Sequence, residues 1–83
     1  MKDPIKEFVH KVQWIHEVEA GDFRRKLGLY INRMVERVPK EQQGLEFRQV
    51  IEKLRNDFIY HPSENLEKSR AEVIALTQKL YGR

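Results

Sequence analysis

Cysteine is absent from the 83 residues, which excludes disulfides and thiolate metal sites. No apolar run reaches ten residues, whereas a helix crossing a bilayer needs roughly 20, so no membrane span is expected. The opening Met1-Lys2-Asp3-Pro4 lacks the basic-then-apolar layout of a secretory signal, and a cytoplasmic location is the simplest expectation. Glycine numbers only 4 and proline 3, and no glycine-rich loop that could cradle a phosphate occurs.

Catalytic and metal-binding patterns are equally scarce. The histidines are His10, His16 and His61. His10 and His16 do not share a helix face, so they form no i, i+4 metal pair. His16 falls at the edge of an apolar stripe, where a satisfied, partly buried imidazole is expected. Glu17 with Glu19, and Glu64 with Glu67, bring carboxylates close in sequence, but dense carboxylates on helices are ordinarily solvated. No serine is accompanied by a base and an orienting acid. The sequence therefore predicts no enzyme, no cofactor, no metal and no small-molecule substrate.

What is present is apolar residues at helical spacing. Hydrophobic residues make up 40% and charged ones 35% of the chain, enough apolar content to fold but little for a large core. One helical domain over residues 1–83 is expected, with a homodimer or a bound partner adding to a limited interior. Asp3 and Pro4 read as N-cap and first residue of a helix. Ile5, Phe8, Val9, Val12 and Ile15 succeed them on one arc. Ala20-Gly21-Asp22 reads as a break, with Gly21 in the left-handed position and Asp22 capping the next helix. That second helix runs from Phe23 to about Val38, where Pro39 ends it, and aligns Phe23, Leu27, Ile31, Met34 and Val38.

A connection at 40–44 leads to a third helix carrying Phe47, Val50, Ile51, Leu54 and Phe58. His61-Pro62-Ser63 interrupts the pattern, and His61 or Ser63 could cap a fourth helix from about Glu64 to Leu80. There Leu66, Val73 and Leu80 repeat every seven residues, with Leu76 between them and Ser69 at an inner position. No strand-like alternation, repeat or low-complexity tract interrupts this plan. The fold class predicted is all-α, either a small antiparallel four-helix bundle or an orthogonal four-helix array.

The residues left outside these stripes are the candidates for function. Lys26, Arg33 and Arg37 fall within about 40° of one another on the second helix, with Tyr30 beside them. Residues 21–40 hold six basic and two acidic side chains. Such a face could meet phosphates, an acidic protein, or simply solvent and the acidic residues of neighbouring helices. Trp14 projects opposite the core stripe of the first helix, and Leu29 projects away from that of the second. Ile59 and Tyr60 point off the core face of the third. Exposed aromatics of this kind are enriched at interface hot spots.

Over Asp57 to Asn65 the segment Phe58-Ile59-Tyr60-His61-Pro62 resembles the tyrosine-bearing turn of immunity proteins against nuclease colicins. Those are small cytosolic four-helix inhibitors that grip their toxin through such tyrosines, so the resemblance implies a protein-docking role for Tyr60. Two features depart from that family. Its members are acidic, because they meet a basic nuclease, whereas this chain carries a net charge of +3; and a full extra helix precedes the turn here. In size and helix count the chain is also similar to small basic proteins that protect producers of antibacterial peptides.

The leading expectation is a protein-interaction module, a regulator, inhibitor or immunity-type protein, with Trp14, Leu29 and Tyr60 as contacts to a partner or a second copy. The alternative is a nucleic-acid-binding helical module using Lys26, Tyr30, Arg33 and Arg37.

Overall fold

The computed structural model describes residues 3–15, 20–60 and 65–80. Among them are four α-helices and no strand. Helix α1 spans Pro4–Gln13, α2 Ala20–Arg37, α3 Leu45–Arg55 and α4 Leu66–Gln78. A 3₁₀ turn, Lys40–Gln42, lies between α2 and α3, and a π turn, Asn56–Tyr60, continues α3. The chain forms a small all-α bundle, as the periodicity predicts.

Helix α1 begins as its sequence dictates: the Asp3 side chain accepts the Ile5 N–H at 2.9 Å, and Pro4 occupies a position that needs no donor. Phe8, Val9, Val12 and Ile15 are buried and Ile5 half-buried. The helix stops earlier than expected, at Gln13, with Trp14 as its C-cap. Helix α2 has already begun at Ala20. The expected break at Ala20-Gly21-Asp22 is therefore corrected. Gly21 and Asp22 lie in the first turn of α2, and among the described residues no glycine takes a positive φ. Glycine costs about 1 kcal/mol in a helix interior relative to alanine, which the buried stripe beyond it readily outweighs. Asp22 still suits its place, because a carboxylate in the first turn complements the helix dipole; it also accepts a hydrogen bond from Arg25 at 2.7 Å.

Every member of the α2 stripe is buried, from Phe23 through Leu27, Ile31 and Met34 to Val38. Its C-terminus poses a problem that the sequence also solves. The Val35 carbonyl would ordinarily accept the N–H four residues on, and Pro39 has none. The Gln43 side chain fills the gap, its Nε2 donating to Val35 O at 2.9 Å and to Val38 O at 2.8 Å. The 3₁₀ turn brings the chain back far enough for that side chain to reach.

In α3 the residues Phe47, Val50, Ile51 and Leu54 are buried, and Phe58 joins them from the π turn. The wider turn sends Ile59 toward α2, where its Cδ1 would lie 3.7 Å from a Cβ built on Gly28. Tyr60 is left in solvent. Helix α4 is capped by Asn65, which accepts the Lys68 N–H at 3.0 Å. The caps expected at His61 or Ser63 lie outside the described residues. Its innermost row is Ser69, Val73 and Thr77, whereas Leu66, Leu76 and Leu80 are half-buried at the margins. The seven-residue leucine seam is thus corrected to an i, i+4 row, the spacing that keeps residues on one face of a straight helix. Thr77 is tolerated at the centre because its hydroxyl donates to Val73 O at 2.8 Å.

Helix α1 lies against both α2 and α4, α3 packs on α4, and the π turn packs on α2. Arg70 of α4 donates to the Ile15 carbonyl at 2.9 Å, tying down the chain just past the end of α1.

Gln43→Leu should lower unfolding free energy by about 1–2 kcal/mol in urea titrations, since two carbonyls lose their donor. Gly28→Ala should raise it by about 0.5–1 kcal/mol, because the added methyl meets Ile59 at an ordinary contact distance.

Candidate interaction surface at the α1–α2 seam

Helices α1 and α2 run antiparallel, and polar side chains line the outer edge of their contact. Glu7 of α1 is gripped from both sides. Lys11 Nζ lies 3.3 Å from its Oε1, and Arg37 Nη1 donates to Oε1 at 3.0 Å and to Oε2 at 3.1 Å. One turn further along α1, Lys11 Nζ stands 5.6 Å from the centre of the Tyr30 ring, within cation–π range. The Lys11 hydrogen bond, aided by the positive charge of Arg37, holds the Glu7 carboxyl below the usual glutamate range despite opposing desolvation.

Trp14 follows as the C-cap of α1. Glu7, Lys11 and Trp14 are spaced i, i+4 and i+7, which places them on one face of α1. Trp14 is 64% exposed, and its ring lies 6.2 Å from that of His10 between centroids. Leu29, 48% exposed, sits three residues after Lys26 and four before Arg33. Of the basic stripe, Tyr30 and Arg37 meet α1 at Lys11 and Glu7, whereas Trp14 and Leu29 are exposed, each on the face of its own helix that points away from the core.

Tyr60 does not join them. It is exposed and borders an open groove of about 790 Å³ along α3, together with Val35, Gln43, Phe47 and Arg48. No residue of α1 lines that groove. Leu45, to which the sequence pattern assigns no role, is 73% exposed at the first residue of α3. A helical wheel is enough to mark it, since position 45 falls opposite the Phe47–Leu54 stripe.

The basic stripe is less free than its sequence suggests, because Arg37 is committed to Glu7. Among the described residues no group of three or more His, Asp or Glu side chains is placed to hold a metal ion. No described helix is long and apolar enough to cross a membrane. Glu17, Glu19, Glu64, His16 and His61 lie outside the described residues.

A carboxylate with a depressed pKa stabilises the fold above its unfolded value, and that contribution fades as pH falls through the folded value. Glu7→Gln should therefore lower Tm at about pH 7, and the difference from the parent should narrow as pH is lowered through the usual glutamate range toward about pH 2. A difference unchanged between those pH values would show that the charge of Glu7 does not matter. Comparison with protein-family models, curated proteins and solved structures finds no match.

Proposed function

We propose that this chain is a small non-catalytic docking module of the cytoplasm, a regulator, inhibitor or immunity-type protein that presents a helical surface to a protein partner or to a second copy of itself. The observation that carries this reading is the exposure of Trp14 on a helix whose opposite face is fully packed. A large aromatic left in water offers substantial apolar area to a partner at little conformational cost. Leu29, Leu45 and Tyr60 extend the exposed apolar inventory. Scattered surface leucines are ordinary; an exposed indole on the far side of a helix from its core is a more specific feature.

The nucleic-acid reading draws less support. Duplex or single-strand binding depends on several cations available to phosphates, and Arg37 already chelates a carboxylate while Arg25 pairs with Asp22.

Trp14→Ala and Tyr60→Ala should each change unfolding free energy by less than about 1 kcal/mol, as exposed contact residues do. Losses of several kcal/mol in a protein that sediments as a monomer at high concentration would make them structural and end this reading.

A further inference from the structure

The outer face of α3 carries charges of both signs in an order that a second copy of the same face completes. Leu45, Arg48 and Glu52, spaced i, i+3 and i+7, follow one ridge of the helix, and all three are exposed. Arg48, Glu52 and Tyr60 line the open groove of about 790 Å³ beside that ridge. The other charges of the groove are already engaged. Lys53 Nζ lies 3.2 Å from Asp57 Oδ2, and Arg55 Nη2 donates to Asn32 at 3.0 Å. Arg48 and Glu52 stand one turn apart, yet among the described residues neither side chain makes an ion pair. Three cations against two carboxylates, Glu52 and Asp57, leave the groove close to neutral, so it favours neither a strongly acidic nor a strongly basic partner.

Two-fold symmetry supplies the missing counter-charges. When a helix packs antiparallel on its own copy, residue i meets j and j meets i, so Arg48 and Glu52 each face a side chain of opposite sign. Sliding the pair by one turn in either direction would oppose Arg48 to Arg48, or Glu52 to Glu52, so the charges also select one register. In that register the Leu45 end of each helix lies toward the Tyr60 end of the other. Leu45 is 73% and Tyr60 68% exposed, and covering both adds apolar burial to a chain whose own core is small.

Resting on the docking reading above and naming its partner, we propose that the α3 face is a homodimer contact. Two copies pack their third helices antiparallel about a two-fold axis, Arg48 of each meets Glu52 of the other, and Leu45 and Tyr60 close the two ends.

Sedimentation equilibrium of the full chain over a range of concentrations tests this. The parent should approach twice its 10.0 kDa mass at high concentration. Arg48→Glu and Glu52→Arg should each raise the dimer dissociation constant by about tenfold or more, because each sets like charges across the axis, while helicity by circular dichroism is unchanged. Mixing these two variants should restore dimers, since the mixed pair again has opposite signs at both contacts. A chain carrying both substitutions should dimerise like the parent.

A parent that is monomeric at every concentration would overturn the proposal. So would single variants that dimerise as well as the parent, or a mixture no more associated than its components. If the parent is monomeric while Trp14→Ala and Tyr60→Ala leave the fold stable, only the second copy is refuted as the occupant. If those two variants unfold, the docking reading itself falls.

Discussion

The burial of one face of α1 against both α2 and α4 is the constraint on which the rest of the molecule depends. Phe8, Val9, Val12 and Ile15 supply that face, and Val12 is completely enclosed. The row Ser69, Val73 and Thr77 of α4 is enclosed with it, as is the α2 stripe centred on Leu27 and Ile31. Apolar burial is non-directional and does not by itself fix a register. Here the polar contacts around the core do so: Glu7 with Arg37 at one end of α1, and Arg70 with the Ile15 carbonyl at the other. The surface at the α1–α2 seam is a consequence of that docking.

A chain of this size has little apolar area with which to offset errors elsewhere. Its polar groups are correspondingly well satisfied. Gln43 replaces the donor that Pro39 removes, Asn65 and Asp3 cap their helices, and the Thr77 hydroxyl is satisfied within its own helix. No fully buried side-chain polar atom among the described residues lacks a partner. The π turn at Asn56–Tyr60 serves packing as well, keeping Phe58 inside while turning Ile59 onto the Gly28 side of α2. Such turns interrupt the regular helical repeat and so re-aim the side chains beyond them, and here the turn leaves Tyr60 pointing into solvent.

In such a bundle the interior and the outer faces are under different constraints. The interior holds helices in register, and the outer faces are free to carry charge and apolar anchors that the core does not need. Trp14 adds nothing to the packed face of α1 and is left exposed. The ion pairs of Glu7 with Lys11 and Arg37 join partly exposed side chains, so each contributes modestly to folding.

By itself the sequence determined which residues form the interior. Spacings of three and four are set by the helical repeat, so the stripes through Phe23–Val38 and Phe47–Phe58 are legible in it, as are the Asp3 cap and the Pro39 stop. The end of α1 is not, because a glycine near a helix start costs little and nothing local marks Gln13 as a terminus. Nor is the inner row of α4, whose leucines draw the eye to its margins; a buried hydroxyl bonded to its own helix leaves no hydrophobic signal. Tertiary structure alone decided that Arg37 and Tyr30 of the basic stripe meet Glu7 and Lys11 of α1, while Tyr60 borders a groove that no residue of α1 lines. Periodicity places a residue on a face of its own helix. Only the antiparallel register between helices, fixed by contacts some 30 residues apart in sequence, says which faces adjoin.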